Sequence, residues 1–173
     1  MIYLGHGASG NAATMKPYVE GLAARGVEAA SVPATGKLPT RAEKAMDVFA
    51  DLLREHPGVM IGGHSYGGRV ASMVAAESGA GPGGLVLFSY PLHRPGRPEE
   101  LRTAHWPSIT CPVLLLSGES DPFARIDLLR VAVGLLPSAE LVTYPHAGHG
   151  LTRNAGVFGD ALDRVAAFAR RLA

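Results

Sequence analysis

Short apolar segments alternate along the whole chain with segments whose apolar residues recur at helical spacing. Each short segment is almost continuously apolar, which is typical of strands buried on both faces of a parallel sheet. The pattern predicts strands at residues 2–4, 27–32, 59–61, 85–88, 113–116 and 140–144, and helices at residues 12–25, 40–55, 66–78, 123–135 and 155–172. This alternation predicts an α/β fold in which a mostly parallel, six-stranded sheet is flanked by helices on both faces.

The second and last predicted helices have the clearest amphipathic patterns. Thr40 and Glu43 match a Thr-x-x-Glu capping box, which predicts that the second helix starts at Thr40. Apolar residues along one side of each helix are interpreted as core-facing stripes rather than as parts of a cofactor site.

One long connection, from residue 89 to 110, breaks the alternation. Its four prolines exclude a continuous helix, and a connection of this length in a compact domain is more often functional than idle. Its arginines, Arg94, Arg97 and Arg102, have two interpretations: they bind an acidic group of a substrate, or they are solvated surface residues.

Length and composition limit the possible partners. The 173 residues fit one domain, residues 1–173, and sixteen basic against fifteen acidic residues give a net charge of +1. Such a balance predicts neither a nucleic-acid partner nor an anionic membrane partner. No segment reaches the length of a membrane span and no leader is recognised, so a cytoplasmic protein is expected. The single cysteine, Cys111, is interpreted as a small buried hydrophobic residue.

Residues 59–68 read Val-Met-Ile-Gly-Gly-His-Ser-Tyr-Gly-Gly. An apolar strand therefore runs directly into Gly-x-Ser-x-Gly, and apolar residues follow at helical spacing. A serine on such a tight strand-to-helix turn is a nucleophile elbow, in which the flanking residues are glycine because a Cβ would clash. Ser65 is the predicted nucleophile, and the neighbouring His64 is interpreted as a residue of the turn that supports the site.

Two further residues follow later strands. Asp121 lies in Ser-Gly-Glu-Ser-Asp-Pro-Phe after the strand at 113–116, and His149 lies in His-Ala-Gly-His-Gly after the strand at 140–144. The order serine, aspartate, histidine, each on a loop after a strand, resembles the α/β-hydrolase family over essentially the whole chain. The resemblance implies a triad in which His149 takes the proton of Ser65, while Asp121 orients the imidazole and stabilises its charged form.

Two other residues compete for these roles. His146 lies on the same loop as His149, but the family's Gly-His-Gly ending favours His149. Asp127 falls at an exposed position of the following helix, so Asp121 is preferred. The two histidines of the loop have no third ligand beside them, and neither a metal nor an organic cofactor is expected.

The first strand leads into Leu-Gly-His-Gly-Ala-Ser-Gly at residues 4–10. This segment resembles the His-Gly-x oxyanion loop of the same hydrolases, which implies that the backbone amides of Ala8 and Tyr66 stabilise an oxyanion. His6, Tyr90 and Trp106 are the predicted substrate contacts, although Trp106 has two interpretations: it covers the pocket, or it only anchors the long connection.

The chain departs from the full family pattern. It begins on the strand that corresponds to the family's third, so the opening antiparallel pair is missing, and so is a large lid domain. The phrases Tyr-Pro-Leu-His at residues 90–93 and Gly-x-x-Asp-Pro-Phe at residues 118–123 resemble a narrower group of short hydrolases related to dienelactone hydrolase. That group includes hydrolase-like domains of chromatin-associated proteins, and most of its substrates are unassigned.

The leading hypothesis is a serine hydrolase of esterase or thioesterase type that acts on a small ester or thioester through an acyl-enzyme. Acyl transfer to an acceptor other than water would use the same residues. An alternative hypothesis from another class is an interaction module that keeps the fold without catalysis. The sequence indicates no oligomeric state.

Overall fold

A computed structural model describes residues 1–77 and 81–173 of the chain. The described residues form one six-stranded sheet in which all five strand pairings are parallel. Its strands lie side by side in the order β2-β1-β3-β4-β5-β6. They are β1 (Ile2–Gly5), β2 (Ala29–Val32), β3 (Met60–His64), β4 (Gly84–Phe88), β5 (Val113–Gly118) and β6 (Ala139–Tyr144). All six predicted strands are confirmed, with ends that differ by a few residues.

Helices connect the strands. They are α1 (Lys16–Ala23), α2 (Ala42–Glu55), α3 (Tyr66–Glu77), α4 (Ile126–Ala132) and α5 (Ala155–Arg171). The predicted end of the third helix, Ser78, lies outside the described residues. The first predicted helix is divided into a 3-10 turn, Ala12–Met15, and α1. Pro17 explains the division, because a residue without an amide hydrogen fits the first turn of a helix but not its interior.

The predicted capping box is wrong. Helix α2 begins at Ala42, its N-cap is Arg41, and no side chain makes the capping hydrogen bond. Thr40 therefore lies one residue before the position from which a hydroxyl can reach the free amides of the first turn. The apolar side of α2, which includes the fully buried Ala45 and Phe49, positions the helix instead.

The core has two layers, one on each face of the sheet. Helices α2, α3 and α4 cover one face, and α1 and α5 cover the other. Strand β4 shows how successive residues supply the two layers: Leu85 and Leu87 belong to the first layer, and Val86 and Phe88 belong to the second. Cys111 is buried in the first layer as predicted, and burial raises the pKa of its thiol to about 11.

The parallel arrangement places the loops that follow β1, β3, β5 and β6 at one edge of the sheet. The carboxyl ends of parallel strands all meet there, which is where ligands bind in open α/β sheets. Among the described helices, none combines the length and the apolarity that crossing a bilayer requires.

Candidate active site

Ser65 lies between the last residue of β3 and the first residue of α3. Its φ of 51° is in the left-handed region, which a residue with a Cβ occupies only when its surroundings hold it there. The amide of Ser65 donates a 2.9 Å hydrogen bond to the carbonyl of Phe88 at the end of β4. The strand-to-helix turn expected from Gly-x-Ser-x-Gly is therefore present, with Ser65 at its apex.

The two glycines of this turn pack against Gly5 at the end of β1. A Cβ on Gly63 would lie 2.3 Å from the carbonyl oxygen of Gly5, and a Cβ on Gly67 would lie 2.2 Å from its carbonyl carbon. Both distances are far below any real contact of a Cβ. The backbone of the turn can approach β1 this closely only because both residues are glycine.

Ser65, His149 and Asp121 form a continuous hydrogen-bonded chain. The Nε2 atom of His149 lies 2.8 Å from Oγ of Ser65, and its Nδ1 atom lies 2.8 Å from Oδ2 of Asp121. The Asp121 side chain is fully buried, whereas 23% of the His149 side chain is exposed. In this arrangement the imidazole can accept the proton of the serine hydroxyl, and the buried carboxylate stabilises the charged ring that results.

The loop that carries the aspartate is held on two sides. The other oxygen of Asp121, Oδ1, accepts a 2.8 Å hydrogen bond from the amide of Phe123. The amide of Ser120 donates a 2.9 Å bond to the carbonyl of Ala147 and so joins this loop to the one that carries His149. The ring of Phe123 lies over the imidazole of His149, with 4.4 Å between centroids and 34° between planes.

The loop after β1 runs beside the elbow. The backbone amides of Ala8 and Tyr66 both lack a hydrogen-bond acceptor within the described parts of the chain. Such unpaired amides next to a serine hydroxyl are suited to an oxyanion. His6 shapes this loop: its Nδ1 donates to the carbonyl of Gly7 at 2.7 Å, and its Nε2 accepts from the amide of Leu38 at 2.7 Å.

A cleft of about 550 Å³ opens beside Ser65. Its walls come from the loop after β1, the start of α1, the elbow, and the loops after β5 and β6. The lining residues are Gly7, Ala8, Ser9, Gly10, Thr14, Met15, Pro17, Tyr18, His64, Ser65, Phe123, His149, Gly150 and Thr152. No lysine, arginine, aspartate or glutamate is among them. Burial raises the pKa of the Tyr18 phenol well above its usual range, so this group is neutral as well.

The predicted substrate contacts Tyr90 and Trp106 need correction. Both are fully packed in the core layer that contains α3, and neither lines the cleft. Their rings pack on each other at 5.0 Å, and the Tyr90 hydroxyl donates to the carbonyl of Arg102 at 2.6 Å. Trp106 therefore anchors the long connection instead of covering the pocket.

His6 also needs correction as a substrate contact. The side chain is 2% exposed, and both ring nitrogens are already bonded to backbone groups. A ring without a free nitrogen or free surface cannot bind a substrate directly. Its contribution is to the conformation of the loop that ends at Ala8.

The competing residues lie away from the hydrogen-bonded chain. Asp127 is exposed and pairs with Arg125 at 2.6 Å, and His146 is exposed in a left-handed conformation with φ of 62°. None of the three arginines of the long connection lines the cleft. Arg97 of that set pairs with Glu100 at 3.0 Å, as expected for a solvated surface residue.

Sequence reasoning missed two contributions to the site. The sequence places Phe123 only in the phrase Asp-Pro-Phe and at the start of the predicted helix at 123–135, although the structure packs its ring over the imidazole of His149. The sequence pattern predicts only that Thr14, Met15 and Tyr18 belong to a helix at residues 12–25. The signal for their role is Pro17, which lies in the first turn of α1 at the sheet edge where the site lies.

Solved structures of several enzymes resemble this chain. A monoacylglycerol lipase from Paleococcus ferrophilus superposes with a TM-score of 0.84 over 99% of this chain and 94% of its own, at 15% identity. The esterase Pf2001 from Pyrococcus furiosus gives 0.76 over 98% and 80%, at 18% identity. A putative non-heme bromoperoxidase, BpoC, from Mycobacterium tuberculosis H37Rv gives 0.79 over 99% and 92%, at 14% identity. At these identities the likeness shows a shared fold.

The sequence itself matches a family model described as an alpha/beta hydrolase domain. The match extends over residues 2–167 and so includes every strand of the sheet and all three residues of the hydrogen-bonded chain. This protein belongs to the α/β-hydrolase family.

Proposed function

We propose that the protein is a serine hydrolase of esterase or thioesterase type, in which Ser65 is the nucleophile, His149 the general base and Asp121 the residue that orients it. The observation that carries the proposal is the unbroken chain of two 2.8 Å hydrogen bonds from the serine hydroxyl to the buried carboxylate. A serine hydroxyl is a weak nucleophile at neutral pH, and a positioned imidazole removes its proton as it attacks.

In the proposed reaction Oγ of Ser65 attacks the carbonyl carbon of the substrate while its proton passes to Nε2 of His149. The resulting tetrahedral oxyanion lies at the amides of Ala8 and Tyr66, and the charged imidazole is stabilised by Asp121. When the oxyanion collapses, His149 returns the proton to the departing alcohol or thiol, which leaves an acyl-enzyme on Ser65. Water activated by His149 then releases the acid and restores the serine.

The cleft favours a neutral substrate. Apart from His64 and His149, the residues that line it are small, apolar or carry hydroxyl groups, and none is a lysine, arginine, aspartate or glutamate that would pair with a carboxylate or an ammonium group. Its volume of about 550 Å³ suits a small or medium-sized ester or thioester. The proposal includes a place in the short dienelactone-hydrolase-related group, on the two motifs that resemble it, although that group supplies no particular substrate.

The test is covalent labelling of the purified protein with a fluorophosphonate probe, which reacts only with an activated serine. Ser65→Ala and His149→Ala should abolish labelling. The matched controls are Ser120→Ala and His146→Ala, which make the same changes at exposed positions beside the site and should label like wild type. Circular dichroism of each variant establishes that it is folded.

Hydrolysis completes the test. Wild type should release p-nitrophenol from the acetate, butyrate or octanoate ester, and Ser65→Ala should lower that rate by at least about three orders of magnitude. A folded wild type that neither labels nor hydrolyses any ester would overturn the proposal in favour of the interaction module. Labelling that His146→Ala abolishes and His149→Ala preserves would overturn the assignment of the base.

A further inference from the structure

His64 is the last residue of β3 and directly precedes the proposed nucleophile. Its side chain contacts both loops that surround Ser65. On one side, Nε2 lies 3.0 Å from the backbone carbonyl oxygen of His149. On the other side, the ring packs so tightly on Gly7 that a Cβ there would lie 2.9 Å from Nδ1. One imidazole therefore touches the loop of the base and the loop of the oxyanion amides.

The hydrogen bond fixes the protonation of this ring. A carbonyl oxygen can only accept, so Nε2 of His64 must donate and must carry a hydrogen. Burial lowers the pKa of His64 and so favours the neutral ring near neutral pH. The resting form of His64 is the neutral Nε2–H tautomer, with its donor directed at the backbone of His149.

The backbone at His149 has few other restraints. Gly148 and Gly150 flank it, and glycine leaves the backbone more conformational freedom than any other residue. Among the hydrogen bonds of the described residues, the carbonyl of His149 accepts only from His64. The bond that joins this loop to the aspartate loop, from Ser120 to Ala147, lies two residues earlier.

We propose that His64 is a positioning residue for the reaction of Ser65: its Nε2–H donor holds the backbone of His149 so that the imidazole stays within hydrogen-bond distance of the serine hydroxyl. The inference rests on the proposed function, since positioning matters only if Ser65 is acylated. The same ring packs on Gly7 and so restrains the loop just before Ala8. One side chain therefore positions both the base and the proposed oxyanion amide relative to Ser65.

Three substitutions separate the hydrogen bond from simple packing. His64→Gln places an amide nitrogen near the former Nε2 and can still donate to the carbonyl of His149. His64→Asn has the same amide group one methylene shorter, so its nitrogen falls near the former Nδ1 and faces Gly7. His64→Leu fills similar space without a donor. Each variant is measured for kcat and KM on the best p-nitrophenyl ester, for its fluorophosphonate labelling rate and for its melting temperature.

The asparagine and leucine variants should lose about tenfold in kcat and in labelling rate, the effect of one hydrogen bond, with KM changed less than about threefold. The glutamine variant should recover most of that loss. A residue that only fills space would instead leave the leucine variant at least as active as the glutamine variant, because leucine fills at least as much of the volume of the ring, and this result would overturn the proposal. So would full activity in all three variants. If the leucine variant does not fold, His64→Met, which also fills the space without a donor, takes its place in the comparison with the glutamine variant.

The failure of the underlying function has a different signature. In that case the wild type itself neither labels nor hydrolyses, whatever residue occupies position 64. A wild type that reacts, together with variants that do not follow the position of the donor, leaves the serine mechanism intact and refutes only the role of His64.

Discussion

The contact between the elbow and β1 makes a strong prediction about Gly67. Alanine at this position would place its Cβ 2.2 Å from the carbonyl carbon and 2.3 Å from the carbonyl oxygen of Gly5. These are backbone atoms of β1, which is paired with β2 on one side and β3 on the other, so they cannot rotate out of the way as a side chain could. An ordinary contact begins at 3.4 Å, so the turn and the strand must separate by about 1.2 Å.

The size of the effect follows from this displacement. Overpacking against a rigid neighbour costs up to about 3 kcal/mol, and in a domain of this length that lowers the melting temperature by about 6–12 °C. The helix that begins at Tyr66 carries one of the two proposed oxyanion amides, and a misplacement of about 1 Å in a reaction site costs on the order of 10²-fold in rate. Fluorophosphonate labelling of Gly67→Ala should fall by about that factor.

The matched control is Gly134→Ala, which adds the same methyl group where nothing lies within 4 Å and where φ is not positive. Replacing glycine also restricts the unfolded chain, so this variant should gain about 0.4–1 kcal/mol and melt about 1–4 °C above wild type. Thermal unfolding followed by circular dichroism gives both values, and labelling kinetics give the rates. If Gly67→Ala had the same melting temperature as Gly134→Ala and labelled at the wild-type rate, the close approach of the elbow to β1 would be refuted.

Three other residues give separate predictions. Asp121→Asn should lower kcat for the p-nitrophenyl ester by about 10³–10⁴-fold with little change in melting temperature, because an amide cannot stabilise the charged imidazole of His149; a loss below tenfold would contradict the assignment. Phe123→Leu should lower the fluorophosphonate labelling rate about tenfold, because the ring that packs over the imidazole of His149 restrains its orientation toward Ser65, and Phe123→Tyr should label at the wild-type rate. Burial lowers the pKa of His105 to about 4, and nearby Arg69 is a smaller cause. Between about pH 4 and 6.5 this histidine therefore binds a proton in the unfolded chain but not in the folded protein. The free energy of unfolding should fall as the pH falls through that window. His105→Gln should therefore lose less melting temperature than wild type on acidification across that window, and an equal loss would exclude His105 as a cause.

The order of elements and the chain Ser65–His149–Asp121 could be predicted from the sequence because both depend on local patterns. Short apolar runs identify buried strands, and each residue of the chain lies in the loop or turn that follows one of them. In a parallel sheet the ends of these strands must meet at one edge. The order of strands and loops along the sequence is therefore enough to predict that Ser65, Asp121 and His149 lie close together, although they are far apart along the chain.

The substrate contacts could not be predicted in the same way. Tyr90 and Trp106 are aromatic residues on a proline-rich loop, and nothing local distinguishes a ring that faces a pocket from a ring that fills the core. The outcome depends on the packing of the loop against α3, which is a long-range property. The missing capping box has a similar origin, since the burial of Phe49 and its neighbours places α2 more firmly than a single side-chain hydrogen bond.

The long connection supports the aspartate loop instead of covering the cleft. The backbone amide of His93 donates to the carbonyl of Phe123 at 3.0 Å, and Nε2 of His93 accepts from the amide of Arg125 at 3.0 Å. Because His93 is 2% exposed, these two bonds join the connection to the turn that contains Asp121 inside the protein, where water does not compete. A loop anchored in this way cannot also close over Ser65. The long connection thus contributes no wall to the cleft beside Ser65, and we expect the selectivity of the proposed hydrolase to come from the residues that line that cleft.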